Sequence, residues 1–358
     1  MNFVIKLAFL PLIFKTSFSF VSNNDCKITD FTQVSKVIER CTDIIISNLL
    51  VPGRETLNLN LTKGTKVTFE GVTTFEVAYW NGFLVEFSGE GVYVEGAPGS
   101  ILYARGEEYW DGQGGSGGVK KPKFVHITTT GGSVFKNLYL LNCPFFCLNV
   151  HASDLTISGW VIDVVAGNTR GGLNTDGLGV GYGQNILIEN SIVLNQDDCI
   201  VVNGGSDMVF RNIQCYGTHG LSMSVGNLAN EDEDEGVLKN ITFTDCLVAD
   251  GLYGIHLKTK KGHALITDVT YQNIALSGIQ EDGIYINQDY GDIGNLSALI
   301  EITDLKMINI YGSVQGELTR PVHIVCNENK CSNWTWSDIN ILGSGSSYCN
   351  FIPSGFSC

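Results

Sequence analysis

Three aspartates and one histidine are the residues of this sequence best suited to acid/base chemistry. Asp197 and Asp198 are adjacent, Asp176 precedes Asp197 by 21 residues, and His219 follows Asp198 by 21. Carboxylates that lie within about 5–10 Å of each other split their pKa values, so that one can stay protonated while another stays ionised. Glycoside cleavage uses such a pair. Each aspartate alone could simply cap a turn, but a turn needs no second or third aspartate beside it.

A short basic segment could bind an anionic substrate. Lys258, Lys260, Lys261 and His263 lie close together in a chain whose formal charge is −15. Each could be an ordinary solvated side chain. Beside a carboxylate cluster, however, the group indicates a site for an anionic sugar, because a neutral glycan would not need it. The net negative charge argues against nucleic acid and anionic membranes as partners.

The elements that must position these residues belong to an internal repeat. A strand motif with alternating apolar residues starts at six Asn or Asp positions, which are 31, 22, 33, 28 and 36 residues apart. These starts are Asp154, Asn185, Asp207, Asn240, Asp268 and Asp304. Strands at roughly this period, without helical segments between them, predict the coils of a parallel β-helix. A propeller or a sandwich would also contain many short strands, but neither predicts the rows in register described next.

A second row of motifs runs in step with the first and predicts which residues stack. Alternation along a strand sends two apolar columns inward: Leu178, Ile200, Leu221, Ile255, Ile284 and Val180, Val202, Met223, Leu257, Ile286. Asp176, Asp198 and His219 share one position on three consecutive coils, about 4.8 Å apart, so we expect them side by side. The glycines that follow this position would permit the bend that turns these side chains outward: Gly177, Gly220, Gly254 and Gly283.

The amino terminus predicts export. Lys6 and the apolar run from Leu7 to Phe14 are typical of a secretory signal, for which we take residues 1–19. The run is shorter than the roughly 20 residues that a spanning helix needs. Residues 20–358 are then expected to form one all-β domain, a right-handed parallel β-helix, in a secreted, extracellular and monomeric protein.

The cysteines fit an oxidising compartment. Eight of the 11 lie close enough in sequence to form local disulfides: Cys26 with Cys41, Cys199 with Cys215, Cys326 with Cys331, and Cys349 with Cys358. Cys143, Cys147 and Cys246 remain, so at least one thiol is expected to be free and buried. Zinc at Cys143 and Cys147 is the competing interpretation, disfavoured because no second ligand pair follows. Four sequons are candidate glycosylation sites: Asn60, Asn240, Asn295 and Asn333.

Five short segments, in their order and spacing, carry a family resemblance. They are Asn174-Thr-Asp-Gly, Asn195-Gln-Asp-Asp-Cys, Thr218-His-Gly-Leu-Ser, Ile255-His-Leu-Lys and Gln288-Asp-Tyr. With them the sequence resembles the polygalacturonases of glycoside hydrolase family 28 over nearly the whole mature chain, including the four cysteine pairs. The resemblance implies a pectin lyase-like solenoid that cleaves α-1,4 bonds of pectic polygalacturonate by single displacement with inversion, without a metal or another cofactor.

The resemblance also implies roles for individual residues. Asp197 would be the general acid, Asp176 and Asp198 would activate the water, and His219 would support the acid. Lys258 and Tyr290 would bind galacturonate, and Asn174 would line the cleft.

Two positions depart from the family. The family usually has Arg-Ile-Lys where this chain has His256-Leu-Lys258, and commonly has Asp at the position of Gly179. An arginine fork binds a carboxylate with two hydrogen bonds and is always charged. His256, expected to face the substrate, would be charged only near or below about pH 6.5.

Three hypotheses follow from these departures. The leading one is an active, endo-acting polygalacturonase. The second is a hydrolase of another pectic backbone, such as rhamnogalacturonan or a xylose-substituted galacturonan. The third is a pectin-binding homologue without turnover. A calcium-dependent pectate lyase is disfavoured, because such enzymes use β-elimination rather than this set of carboxylates.

Overall fold

The repeat motif folds into coils because its first residue turns the chain. At all six motif starts, from Asp154 to Asp304, the backbone is left-handed, with φ between 53° and 57°. Asn and Asp tolerate this conformation because their short polar side chains bond locally. The same side chains link successive coils: Asn185 Nδ2 donates to Asp154 Oδ1 at 2.7 Å, and Asn240 Nδ2 donates to Asp207 Oδ1 at 2.8 Å.

The computed structural model describes residues 23–226, 234–291, 299–327 and 329–358, and its strands form a parallel β-helix. Several long strands bend around more than one face, including Leu148–Ser158, Leu178–Leu194, Gly205–Tyr216, His263–Ile279, Leu305–Val314 and Thr335–Leu342. The first face carries the carboxylate row. Besides the first residues of Leu148–Ser158 and Leu178–Leu194, it contains the strands Leu57–Asn60, Phe83–Ser88, Lys123–Ile127, Ile200–Val202, Leu221–Val225, Tyr253–Thr259, Asp282–Asn287, Arg320–Val325 and Tyr348–Cys349.

The other two faces hold the remaining strands. The second face contains Lys27–Ile28, Asp43–Ser47, Lys66–Glu70, Tyr93–Gly96, Ser133–Lys136, Gly205–Tyr216, Asp234–Thr244, His263–Ile279, Ile300–Thr303, Leu305–Val314, Cys331–Ser332 and Thr335–Leu342. The third contains Leu50–Val51, Val72–Phe75, Ile101–Tyr103, Tyr139–Leu141, Val161–Asp163 and Leu247–Ala249.

Helices are short and lie at the amino end or in connections. The α-helices are Val34–Ile38 and Gly167–Arg170, and the 3-10 turns are Asn23–Cys26, Phe31–Gln33 and Gly106–Glu108. No helix in the described part of the chain has the length and apolar character needed to cross a membrane.

The register of the carboxylate face matches the sequence prediction. Leu178 pairs with Ile200, Ile200 with Leu221, Leu221 with Ile255, and Ile255 with Ile284. All five side chains are fully buried. The predicted stacking of the coils is therefore confirmed.

The outward column of this face is also covered, which alternation alone does not predict. Ser222 is fully buried, Val201 is 7% exposed and His256 is 3% exposed. Side chains that point away from the core are buried here by groups along the cleft, so outward and solvent-exposed are different properties on this face.

The glycines after the carboxylate row are needed mainly for close approach between coils. A Cβ on Gly254 would lie 2.4 Å from the carbonyl oxygen of Gly283, and one on Gly177 would lie 2.7 Å from that of Cys199. Gly220, with φ of 88°, is the member of this set in a left-handed conformation. The backbone bend that the sequence predicts for all four glycines therefore requires glycine only at Gly220. At the other three positions glycine is explained by the tight packing of neighbouring coils.

All four disulfides predicted from the spacing of the cysteines are present. They join Cys26 to Cys41, Cys199 to Cys215, Cys326 to Cys331, and Cys349 to Cys358. These eight cysteines are therefore structural residues that staple neighbouring segments of the coils, and the cleft described below is lined by other residues.

The three unassigned cysteines divide into a pair and a single thiol. A fifth disulfide joins Cys143 to Cys147, which rules out the zinc interpretation of that pair, since its sulfurs are oxidised. Cys246 is a buried free thiol, as expected.

The other predictions about export meet the structure only in part. Asn60, Asn240 and Asn333 are exposed, so glycosylation of these residues remains a prediction. Asn295 and the signal peptide at residues 1–19 lie outside the described residues.

Candidate active site

The carboxylate row lies at the amino ends of three stacked strands. The backbone joins its members directly: Gly177 N–H donates to Asp198 O at 2.8 Å, and His219 N–H donates to Asp197 O at 2.7 Å. Asn195 braces the same turn from below, because its buried Nδ2 donates to Thr175 O at 2.7 Å and to Asp198 O at 2.9 Å. The row is thus held by main-chain geometry before any side chain is considered.

Asp198 is the most fully neutralised of the three aspartates. Lys258 Nζ contacts both its carboxylate oxygens, at 2.9 and 2.7 Å, and Ser222 Oγ donates to Oδ1 at 2.6 Å. The Asp198 and Lys258 side chains are only 3% and 6% exposed. Burial raises the pKa of Asp198, although the charge of Lys258 opposes the shift.

Asp197 is held by three donors. Asp198 N–H donates to Oδ1 at 2.8 Å, His219 Nδ1 lies 3.2 Å from Oδ1, and Asn174 Nδ2 donates to Oδ2 at 3.2 Å. Burial opposes ionisation, but the hydrogen bond and charge of His219 outweigh it and hold the pKa of Asp197 below its usual value. Burial likewise disfavours a charged His219, but Asp197 outweighs this and raises the pKa of His219.

Asp176 has the opposite environment. Its Oδ1 is buried and has no hydrogen-bond partner among the described residues. Burial, together with the charges of Asp197 and Asp198, raises the pKa of Asp176 well above its usual range. The three carboxyl groups are therefore not equivalent: Asp197 ionises most readily, and Asp176 holds a proton best.

These groups border a cleft of about 380 Å³. Asp176, Asp197, Asp198 and His219 lie in its wall together with Asn174, Lys258, Lys260 and Tyr290. Lys258 Nζ and Lys260 Nζ both lie over the ring of Tyr290, at 5.4 and 5.8 Å from its centre. The structure therefore brings together seven of the eight catalytic and substrate-binding residues predicted from the sequence, with Lys260 beside them.

His256 is the exception. It does not line the cleft; it is 3% exposed, and neither ring nitrogen has a hydrogen-bond partner in the described part of the chain. Its ring stacks on Tyr285 with centres 5.0 Å apart, and Tyr253 lies 4.2 Å away. Burial lowers the pKa of His256 well below its usual value. Burial among these rings therefore argues against a charged His256 that faces the substrate.

Sequence reasoning missed three residues that contact the carboxylates or support them. Ser222 stood in the predicted outward column, but nothing in the pattern linked its hydroxyl to Asp198. Asn195 lay within a quoted motif without a role. Lys121, described below, follows a loop that the repeat does not include.

A cation could in principle be held here, because ligating atoms of Asp197, Asp198 and His219 lie within 4.8 Å of one another. Asp197 and His219 already pair with each other, however, and Asp198 is neutralised by Lys258. A metal would have to displace these contacts, so the donor set does not fit one.

The sequence profile of glycosyl hydrolases family 28 matches residues 41–358. The chain belongs to this family. A polygalacturonase from Phaedon cochleariae is 42% identical to it over 357 residues, which cover 96% of both chains. Endopolygalacturonase A from Aspergillus niger is 39% identical, covering 95% of this chain and 92% of that one.

Solved structures of the family agree with the fold. Endopolygalacturonase I from Stereum purpureum, complexed with two galacturonate, superposes with a TM-score of 0.81 at 30% identity, covering 91% of this chain and 97% of that one. The family 28 fold and the glycoside hydrolase class predicted from the sequence are thus confirmed.

Proposed function

We propose that this protein is a secreted, endo-acting polygalacturonase that hydrolyses the α-1,4 bonds of polygalacturonate with inversion. The observation that carries the proposal is the cluster of Asp176, Asp197 and Asp198, whose three carboxyl groups have different partners in one cleft. Family membership and the names of the relatives support the substrate. Lys258 and Lys260 at the cleft support an anionic sugar in a chain of net charge −15.

In this mechanism the Asp197–His219 pair delivers the proton to the leaving oxygen. The pair holds a proton below the raised pKa of His219. A galacturonate carboxylate bound nearer to Asp197 than to His219 would raise the pKa of Asp197 more, and so would favour transfer of that proton to it. Asp197 can therefore act as the acid even though its pKa is lowered in the free protein.

Asp176 and Asp198 then activate the attacking water. Activation requires at least one ionised carboxylate, and Lys258 favours ionisation of Asp198. Inverting enzymes leave room for the water by separating the acid and the base by about 6.5–9.5 Å. Here a carboxylate oxygen of Asp197 lies within 4.8 Å of one of Asp198, so this pair is more closely spaced than that range.

Secretion and a monomeric state complete the proposal. Five disulfides support an oxidising compartment, since such bonds rarely persist in the cytosol. Glycosylation at the exposed sequons would fit the same route.

The deciding experiment incubates purified protein with demethylated polygalacturonate at pH 4–7 and follows new reducing ends. We expect turnover in the wild type, its loss in Asp197→Asn, and normal turnover in Asp43→Asn, which alters an exposed aspartate far from the row. A fall in viscosity ahead of the rise in reducing ends would identify endo action. Proton NMR of the first product would show the β-anomer if the reaction inverts.

Other outcomes would redirect the proposal. Turnover of only a rhamnose- or xylose-containing pectic backbone would favour the second hypothesis. Binding without new reducing ends on every pectic backbone tested would contradict hydrolysis altogether.

A further inference from the structure

A glycine-rich loop at residues 111–119 packs against the site from outside the repeat. Gly115 N–H donates to Asn174 Oδ1 at 2.9 Å. Gly114 has φ of 53°, and a Cβ there would lie 2.2 Å from the same Asn174 oxygen. The loop can approach Asn174 this closely because it lacks side chains at these two positions.

Lys121 holds this loop in its conformation. Its Nζ contacts Asp111 Oδ1 at 2.8 Å and donates to the carbonyls of Gly114 at 3.1 Å and Val119 at 3.2 Å. The Lys121 side chain is 3% exposed, whereas neighbouring Lys120 is exposed. A buried ammonium is stable only with such partners, so Lys121 ties the start, middle and end of the loop to one point.

Asp111 and Lys121 together form a clamp that holds the loop. The two oxygens of Asp111 accept the N–H groups of Gln113 at 3.0 Å and Val119 at 2.9 Å in addition to contacting Lys121. Burial opposes ionisation, but these hydrogen bonds lower the pKa of Asp111 to about 2. The Asp111 carboxylate therefore stays charged throughout the mildly acidic range in which the assay is run.

Asn174 connects the loop to the catalytic row. An amide side chain has one acceptor and one donor end. Because Gly115 N–H occupies the oxygen, the amide nitrogen must face Asp197 Oδ2, which it contacts at 3.2 Å. The orientation of the donor on Asp197 is thus set by the position of the loop.

We infer that Lys121 is a positioning residue: through the glycine-rich loop and Asn174 it fixes the carboxylate of Asp197 for proton transfer. This inference rests on the proposed function, in which Asp197 is the acid. Without the clamp, Gly115 releases the Asn174 oxygen, the amide can rotate, and Asp197 loses a donor. A lost donor raises the pKa of a carboxyl group, and a displaced acid transfers its proton less efficiently.

The test compares Lys121→Met with Lys120→Met, the same change at the exposed neighbour. We expect kcat to fall about tenfold in Lys121→Met, with KM little changed, the alkaline limb of the pH–rate profile moved upward, and no effect in Lys120→Met. Asn174→Ala should lower kcat at least as much. If both act along one path, the double variant should match Asn174→Ala within about twofold.

Three results would overturn the inference: unchanged kcat in Lys121→Met, losses that multiply in the double variant, or an unmoved pH–rate profile. If Lys121→Met does not fold, Asp111→Asn breaks the clamp with an isosteric side chain and gives the same test.

A second readout separates this inference from the proposed function. Imidazole NMR titration reports the pKa of His219, which bonds to Asp197, without any substrate. We expect that pKa to change in Lys121→Met and not in Lys120→Met, even if wild-type protein cleaves no pectin. If the pKa of His219 did not change in Lys121→Met of an active enzyme, the inferred path from Lys121 to Asp197 would be refuted. The proposed hydrolase function would still stand.

Discussion

Replacement of Lys258 by Met should destabilise the protein strongly at neutral pH. The Lys258–Asp198 pair is bidentate and its side chains are 6% and 3% exposed, so water cannot replace the lost ammonium. Removal of one member of a buried pair costs about 3–5 kcal/mol, because the other charge stays buried and unpaired. Here the orphaned carboxylate would also lie beside the Asp197 carboxylate, which repels it.

The loss should depend on pH, and its sign follows from the pKa of Asp198. Burial already raises that pKa in the folded protein, so the native state binds more protons than the unfolded chain above the ordinary value, and stability falls as pH rises. Without Lys258 the pKa rises further. Protonation of Asp198 then relieves the buried charge in acid, so destabilisation should be larger at pH 7 than at pH 4.

Denaturant unfolding of wild type and variant at both pH values measures the effect. Lys27→Met is the matched control, because the Lys27–Glu70 pair has a similar 3.0 Å contact but side chains 36% and 40% exposed. Such surface pairs contribute about 0–1 kcal/mol. A second change, Asp198→Asn, should restore much of the stability lost in Lys258→Met. Equal losses in both lysine variants, or a larger loss at pH 4, would refute the reasoning.

Three further predictions follow from burial and charge in and around the site. His256→Phe should keep kcat/KM within about twofold across pH 4–7, because the imidazole is buried, has a pKa lowered well below its usual value and has no hydrogen-bond partners among the described residues; a changed acid limb would show that His256 titrates in this range. Asp176→Asn should abolish turnover of polygalacturonate yet raise the free energy of unfolding at pH 7 by about 1 kcal/mol, since the raised pKa of Asp176 costs stability above the ordinary carboxyl pKa, and a less stable variant would contradict this. Burial raises the pKa of Cys246 to about 12, so this thiol should resist a disulfide reagent at pH 8 until denaturant unfolds the chain; prompt reaction of the folded protein would disprove its burial.

The sequence predicts this fold well because the repeat makes long-range contacts periodic. Once Leu178, Ile200 and Leu221 are aligned as one column, every neighbour on that face is specified, including the proximity of Asp176 and Asp198. The left-handed Asn and Asp residues at the motif starts explain why the pattern is so regular. Folds without internal repeats do not allow this alignment, because their contacts have no fixed sequence period.

The periodic pattern does not predict two features of this site. One is how deeply an outward-pointing side chain is buried, and the other is the contacts of loops that lie outside the repeat. Lys258 and His256 both point outward, yet both are buried, because exposure depends on what covers a face rather than on the alternation of its strands. The Lys258 ammonium, which the sequence predicts to bind a sugar carboxylate, therefore forms an ion pair with Asp198 in the structure. Lys121 illustrates the second limit: a loop outside the repeat has no register, so its contact with Asn174 could be found only in three dimensions. The family departure at His256 accordingly changes a buried aromatic contact, whereas the inferred positioning of Asp197 depends on Lys121 and a glycine-rich loop that no motif contains.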